Sequence, residues 1–281
     1  MTGDASREQL RAWADESLLA GFELLARHPP AGEPIAPRAF GAAMAYPTGR
    51  SLGFFNPIVA LQPAAASDLA AAVAWVRELG MPLSLRIRRD AEDPSFGAVA
   101  LELGLVRDPW VDPAMVMHPL AASPPLPDGL VIEAAKPATM DRFYSANAYA
   151  FRIPLEAMAL VRDLTPPDVV DDPDIRLFGG YLDGEPVACS FAIRSGDVVG
   201  VYAVGTAETA RRRGIGTAMT WAAVDAGRQW GCVAATLQAS AMGEPVYRAM
   251  GFETVAGYVT YAEPRPQAGP AGPSNVSPDA G

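Results

Sequence analysis

Histidine and cysteine are scarce in this sequence. Its 281 residues include two histidines, at 28 and 118, and two cysteines, at 189 and 232. So few histidines argue against a histidine-based metal site or catalytic triad, and we expect no bound metal. Two cysteines do not make a disulfide framework. We expect both to be buried as small apolar side chains rather than to act as nucleophiles.

Long apolar runs and excess positive charge are also missing. No apolar run reaches membrane-spanning length, and no basic-then-apolar leader opens the chain. We therefore expect a cytoplasmic protein with no membrane partner. The net charge of −10 argues against nucleic acid as a partner. Half of the residues are hydrophobic, which is enough for the core of one large domain or two modest ones.

A short basic run with two glycines is the most informative feature present. Arg211–Gly216 lies between an apolar strand predicted at Val198–Val204 and an apolar-periodic helix predicted at Ile215–Trp230. Glycine lets the backbone turn sharply and approach a ligand closely. The N–H groups of such a turn and of the following helix start form an anion site. The run therefore predicts a bound phosphate or pyrophosphate.

Two common nucleotide motifs do not fit this run. A Walker loop needs a lysine after its last glycine, and neither Gly214 nor Gly216 is followed by one. A dinucleotide fingerprint needs a third small residue where Met219 stands. It also needs an acidic residue after the next strand, which closes instead on Leu237 and Gln238.

The pattern [Q/R]-x-x-G-x-[G/A] does fit, with Arg211, Gly214 and Gly216 at its defined positions. It resembles the turn that binds the acyl-CoA pyrophosphate in the GNAT (N-acetyltransferase) superfamily. A second segment, Val246–Phe252, resembles that family's [LV]-Y-x-x-[LM]-G-F signature and places Tyr247 at its tyrosine. Between the two motifs there is room for a helix, a strand and a second helix start.

The chain departs from the family pattern at three places. Ser240 and Gly243 stand where the family often has asparagine and alanine, and the Ser240 hydroxyl is a possible replacement for the asparagine contact. The predicted strand before the turn has no carboxylate, although many relatives carry a glutamate there. Glu208 lies beyond that strand, where we expect it to be solvated. The general base is thus unassigned.

The resemblance implies transfer of an acetyl group from acetyl-CoA, as cosubstrate, to a primary amine of a small molecule. Tyr247 is implied as the general acid that protonates the leaving thiolate, and a backbone N–H near the end of the strand as the group that polarises the carbonyl. The residues expected to bind the cofactor are Ala203, Val204, Gly205, Arg211, Arg212, Arg213, Gly214, Ile215, Gly216, Thr217 and Ser240. An apolar acceptor pocket would use Phe143, Tyr144, Tyr149, Phe151 and Tyr202, with core packing as the alternative for those on helices.

Two other functions remain open from the sequence. One is a non-catalytic acyl-CoA-binding or sensory protein, which the missing strand carboxylate favours. The other is acetylation of a peptide or protein amine. The sequence does not separate a monomer from a homodimer.

The resemblance predicts an α/β (α+β) fold, with a mixed, mostly antiparallel sheet flanked by helices. We expect a GNAT domain at 129–263 after a proline-rich linker, and a disordered tail at 264–281. Residues 1–119 repeat the strand–helix order of the second half, and we interpret them as an N-terminal helix plus a partial GNAT-like repeat. Ala100 stands there in place of Tyr247, so the repeat lacks the chemistry, and chance similarity is the alternative. Residues 31–49 are predicted to be loop, and Ala114–Met117 a short strand.

Overall fold

The computed structural model describes residues 5–93 and 96–264. Its α-helices, α1 to α7, are Arg7–Arg27, Ala66–Glu78, Phe96–Glu102, Met140–Phe151, Met158–Leu164, Ile215–Gln229 and Glu244–Ala249. Its strands, β1 to β11, are Arg38–Phe40, Ala43–Ala45, Pro57–Ala60, Ser84–Arg88, Val106–Met117, Leu130–Ala134, Ile175–Leu182, Glu185–Ser195, Val198–Thr206, Ala234–Gln238 and Glu253–Ala262. None of the described helices is long and apolar enough to cross a membrane.

The described chain divides into two compact units, each made of separate segments. The first contains residues 5–20 and 114–255, and the second contains residues 21–113 and 256–264. The domain boundaries proposed from the sequence stay a prediction. The tail predicted at 264–281 lies outside the described residues apart from Pro264.

The first unit is built on a mixed, mostly antiparallel sheet in the order β5-β10-β9-β8-β7-β6. Only the β9–β10 pair is parallel, and α6 is the main helix of the connection between these strands. The β7–β8 hairpin turns at Asp183 and Gly184, whose φ angles of 52° and 87° match the left-handed conformations that a tight hairpin requires. This confirms the predicted strand meander leading into the arginine–glycine run.

Helices cover both faces of this sheet. On one face α6 packs so closely that a Cβ added to Gly227 would lie 2.3 Å from a Val199 methyl. On the other face Phe143 of α4 packs against Phe191 of β8, with ring centroids 5.7 Å apart. The α6 helix ends in a Schellman motif, in which Cys232 N–H donates to Gly227 O at 2.9 Å and Gly231 takes φ 82°.

The second unit has the sheet order β1-β2-β3-β4-β11, with one parallel pair, β3–β4. Its own core lies under α2 and α3 and includes Leu69, Leu85 and Ile87. The order strand, helix, strand, helix, strand predicted for the N-terminal half is present as β3-α2-β4-α3-β5.

Two local predictions were wrong. Residues 31–49 are not all loop, because β1 and β2 pair across a turn at Gly41, whose φ is 56°. Alanine-rich sequence of this kind carries no alternating pattern from which a strand can be read. The strand predicted at Ala114–Met117 begins at Val106 and passes through two prolines, which obscured it.

Candidate active site

The arginine–glycine turn, Arg211–Thr217, joins the end of β9 to the start of α6. Arg212 and Gly214 both adopt left-handed φ angles, 59° and 74°, and Gly214 is the N-cap of α6. The first N–H groups of a helix have no carbonyl partner within the helix, so the turn presents donors and a positive dipole end at one place. This geometry is the one that a backbone anion site requires, and the binding of an anion here stays a prediction.

The three arginines of the turn are placed differently. Arg211 is half-buried, and its Nε donates to Thr206 O at the end of β9 across 3.3 Å. Arg212 and Arg213 are exposed. Arg211 is therefore anchored against the strand, whereas the other two place positive charge at the mouth of the turn.

Gly216 keeps the surface of the turn open to a ligand. A Cβ at this position would lie 3.3 Å from Thr206 Oγ1. Its φ is not positive, so the backbone conformation does not require glycine here. The missing side chain instead leaves space beside the turn. The turn therefore fits a phosphate group that approaches the helix N-terminus closely.

A β-bulge interrupts β9 just before the turn. Cys189 of β8 pairs with Gly205, and Phe191 pairs with Tyr202, so Ala203 and Val204 both lie opposite Ser190. Ala203 takes φ 48°, which is uncommon for a residue with a side chain. The bulge rotates the Ala203–Val204 peptide out of the regular ladder.

Strands β9 and β10 separate close to the bulge. Their parallel pairing covers Val198–Gly200 and Ala234–Thr236, after which β9 stays paired with β8 and β10 with β5. We call the space between the two strands beyond Gly200 the fork. The predicted cofactor residues Ala203, Val204 and Gly205 lie on its β9 side.

A chain of three hydroxyl groups lies at the closed end of the fork. Thr236 Oγ1 donates to Ser17 Oγ at 2.8 Å, Ser17 Oγ is 3.1 Å from Tyr202 Oη, and Tyr202 Oη donates to Ser17 O at 2.7 Å. Gly200 makes room for this contact, since a Cβ there would lie 2.5 Å from Ser17 Oγ. Nothing in the sequence pattern indicates that α1 reaches these strands.

Gln238 contributes a buried donor near the fork. It lies on β10 two residues after Thr236, so its side chain is on the same face of the sheet. Its Nε2 atom is buried and has no hydrogen-bond partner among the described residues. A buried donor of this kind is normally satisfied by water or by a ligand.

Tyr247 is held beside the turn by the helix-ending glycine of its own motif. Helix α7 ends in a Schellman motif at Gly251, φ 98°, with Phe252 N–H donating to Tyr247 O at 3.0 Å. This motif brings the residue after the glycine back onto the helix, and the Phe252 and Tyr247 rings meet with centroids 6.0 Å apart. The spacing of the Val246–Phe252 signature thus follows from helix termination.

The Tyr247 hydroxyl lies near the side chain of Thr220, which is one turn beyond Gly216 on α6. Thr220 Oγ1 itself donates to Gly216 O at 3.0 Å. Burial raises the pKa of Tyr247 to about 12, against a smaller opposing effect of the nearby Thr220 hydroxyl. Tyr247 is therefore a fully protonated donor at neutral pH, connected to the turn through one side chain.

Two further residues considered from the sequence, Ser240 and Glu208, are exposed. Ser240 is exposed, and its Oγ accepts the Gly243 N–H at 3.2 Å, so it helps to start α7 and keeps its own O–H available as a donor. Glu208 pairs with Arg152, and both side chains are exposed, as predicted for a solvated carboxylate. No carboxylate of β9 enters the fork, because the strand contains none.

The aromatic residues considered for an acceptor pocket divide into three groups. Phe143 and Tyr144 are buried in the core, and Tyr149 is exposed. Phe151 lies against the bulge, since a Cβ on Gly205 would be 3.1 Å from its ring. Of the five, Phe151 and Tyr202 are the two that adjoin the bulge and the fork.

A groove of about 740 Å³ runs along the flank of α6 that faces β6 and β7. Gly214 and Thr217 line it at the N-terminal end of the helix, and the proline-rich segment 123–127 forms one wall. Tyr247 approaches α6 at Thr220, which does not line the groove. The groove thus adjoins the turn but is separate from the side of the helix that holds Tyr247.

Comparison with known proteins gives a family match within the first unit. Residues 130–236 match the model of the acetyltransferase (GNAT) domain, which confirms the resemblance predicted from the two motifs. The chain therefore contains a GNAT domain, a domain of transferases. No curated protein matches the chain.

Solved structures with the same fold align with most of the chain, including both of its halves. A GCN5-related N-acetyltransferase from Kribbella flavida matches with a TM-score of 0.64 and 20% identity, covering 89% of this chain and 96% of its own. A GCN5-related N-acetyltransferase from Sphaerobacter thermophilus matches with a TM-score of 0.55 and 17% identity over 88% and 92% of the two chains. A tandem GNAT protein from the clavulanic acid biosynthesis pathway has the same TM-score and identity over 90% and 97%. The predicted GNAT-type fold is confirmed, and the tandem match is consistent with a two-part GNAT architecture.

Proposed function

We propose that this protein is an acyl-CoA-dependent N-acetyltransferase that moves the acetyl group of acetyl-CoA to a primary amine of a small molecule. One observation carries the proposal. A backbone anion site at Arg211–Thr217, the bulge at Ala203 and the protonated Tyr247 adjoin the same two elements, β9 and α6. These are the groups that thioester aminolysis requires.

The residues present fit acetyl-CoA in two respects. The turn lacks a side chain at Gly216, where a Cβ would fill the surface next to Thr206. Gln238, on the β10 strand that borders the fork, has a buried Nε2 donor with no partner among the described residues. Bound acetyl-CoA supplies an activated acetyl thioester, so the protein needs mainly to hold and orient the two reactants.

Each group of the chain then has a defined task. The N–H groups at the start of α6 and the arginines bind the pyrophosphate charge. Val204 N–H, turned out of the ladder by the bulge, donates to the carbonyl oxygen where negative charge develops. Tyr247 O–H gives its proton to the departing sulfur, and its raised pKa keeps the hydroxyl protonated until that step.

In the proposed reaction, a water molecule accepts the proton that the attacking amine loses. Attack requires the neutral amine, and β9 offers no carboxylate to accept its proton. Glu208 is turned away into an exposed pair with Arg152. The same observation favours a second candidate, a protein that binds acyl-CoA without catalysis.

An assay of CoA release separates these candidates. Acetyl-CoA is incubated with the protein and a panel of small amines, aminoglycosides and peptides, and free thiol is measured. Release that depends on a small amine supports the proposal, and release only with peptides moves the activity to a peptide acceptor. Saturable acetyl-CoA binding with no release from any amine supports the non-catalytic protein.

A further inference from the structure

The thiol of Cys189 lies beneath the bulge of β9. Its Sγ donates to Ala203 O at 3.3 Å, and the Gly205 N–H interacts with the same sulfur. Cys189 is fully buried, and burial raises the pKa of its thiol to about 12. The group is therefore a neutral hydrogen-bond donor and not a nucleophile.

This hydrogen bond fixes the direction of one peptide plane. Ala203 C=O and Val204 N–H belong to the same peptide, which is planar and trans, so the two groups point in opposite directions. When the thiol holds Ala203 O on the β8 side, Val204 N–H has to face away from it. The strand on the side of β9 opposite β8 is β10, and its pairing with β9 ends at Gly200. No β10 backbone group therefore pairs with Val204 N–H.

The bulge needs such a contact because it is strained. Ala203 adopts φ 48° although it has a side chain, and conformations of this kind persist only when their surroundings hold them. A regular ladder would pair this carbonyl with a backbone N–H, but Ala203 and Val204 together lie opposite the single residue Ser190. The Ser190 hydroxyl is not available, since it donates to Met219 O at 2.8 Å.

We infer that Cys189 is a positioning residue of the acetyltransferase site. Its S–H···O=C bond to Ala203 sets Val204 N–H in the direction of the acyl carbonyl, so the thiol acts on catalysis through the backbone. The inference rests on the proposed function. Cys189 thereby has a role beyond that of the buried apolar side chain expected from the sequence.

Alanine and serine at position 189 form a matched pair of variants. The two side chains differ by one hydroxyl, so Cys189→Ser restores a donor that Cys189→Ala lacks, at nearly equal volume. Cys232→Ala is the control, because Cys232 is the other buried cysteine of the first unit and its N–H bonds to Gly227 O at the end of α6 rather than to the bulge.

The direct readout is the infrared carbonyl band of bound acetyl-CoA carrying ¹³C at the acetyl carbonyl. A polarising N–H lowers this frequency, so the wild type and Cys232→Ala should show the band below that of free acetyl-CoA. In Cys189→Ala the band should return toward the free frequency, and in Cys189→Ser it should move back down. With an amine acceptor, kcat of Cys189→Ala should fall by about tenfold or more while KM for acetyl-CoA stays within about twofold.

An unchanged band and kcat in a folded Cys189→Ala protein would overturn the positioning role. Equal losses of kcat in the alanine and serine variants would also overturn it, because they would report packing alone. If the wild type shows no saturable acetyl-CoA binding, the proposed function itself fails, and the two failures are thereby distinguished.

Discussion

The hydroxyl group of Tyr247 lies near that of Thr220, and Thr220 donates its proton to Gly216 O at 3.0 Å. Thr220 thus links the position of a residue on α7 to a glycine of the arginine–glycine turn. The contact explains how a tyrosine that is distant in sequence is held beside the start of α6. The ring of Tyr247 contributes packing and its hydroxyl contributes a proton, so a substitution that removes only the hydroxyl tests the two roles separately.

Tyr247→Phe should lower kcat by about 10²- to 10⁴-fold, the usual contribution of general acid catalysis. The acetyl-CoA dissociation constant should stay within about twofold, because a general acid acts on charge that develops only in the transition state. Thr220 keeps its bond to Gly216 O, so the melting temperature should stay near that of the wild type.

Tyr181→Phe is the control for this substitution, since Tyr181 is a buried tyrosine of the first unit, on β7. Steady-state kinetics and calorimetry measure the two variants. Wild-type kcat in Tyr247→Phe, under conditions where chemistry limits the rate, would assign Tyr247 to packing. A loss of acetyl-CoA binding would assign it to the cofactor site.

The pH profile of kcat should show no loss from Tyr247 below about pH 10. Burial raises the pKa of this tyrosine to about 12, so the acid form that catalysis needs persists through the range in which an ordinary tyrosine would begin to ionise. The rate should rise with pH as the acceptor amine loses its proton, and then reach a plateau. A fall in kcat centred near pH 10 that disappears in Tyr247→Phe would show that the pKa of Tyr247 is not raised.

The same shift has a consequence for stability. Because the folded-state pKa lies above the unfolded value, the buried neutral hydroxyl stabilises the fold fully below about pH 10. That contribution is lost as the pH rises from about 10 to about 12. The melting temperature of the wild type should therefore fall more steeply over this pH range than the melting temperature of Tyr247→Phe.

Ser17→Ala should destabilise the protein by about 1–3 kcal/mol, the cost of leaving a buried hydroxyl unpaired. Ser17 is the acceptor for Thr236 Oγ1, and Thr236 is fully buried at the closed end of the fork. Chemical unfolding measures the change. Ser145→Ala is the control, since that hydroxyl only bonds back to Asp141 O within α4. Equal stability of the two variants would show that the hydroxyl chain does not hold α1 in place.

The sequence predicted the local chain geometry of the candidate site, while the roles of its residues stay predictions. The turn at Arg211–Gly216 and the Schellman end at Gly251 are each set by glycines at fixed offsets, and both are where they were expected. Tyr247 follows from the same spacing. The GNAT-type fold followed from these motifs together with the meander and its Asp183–Gly184 turn.

Contacts between distant segments could not be read from the sequence. Ser17 reaches Thr236 across 219 residues, and nothing in the pattern of α1 marks that serine. Cys189 looked like any buried apolar residue because its role depends on a bulge in the neighbouring strand. The bulge itself leaves no trace in Val198–Thr206, where Ala203 is an ordinary residue in an unusual conformation.

Calorimetric titration with acetyl-CoA tests the central claim most directly, that Arg211–Thr217 binds the cosubstrate. Gly216→Val adds a side chain where a Cβ already lies 3.3 Å from Thr206 Oγ1, at a position with no backbone strain. Gly97→Ala is the control, a helical glycine in the second unit with nothing within 4 Å of an added Cβ. Saturable binding by the wild type and Gly97→Ala is predicted, with affinity at least about tenfold weaker in Gly216→Val, a loss of about 1.4 kcal/mol. An unchanged dissociation constant in a folded Gly216→Val protein would contradict the account.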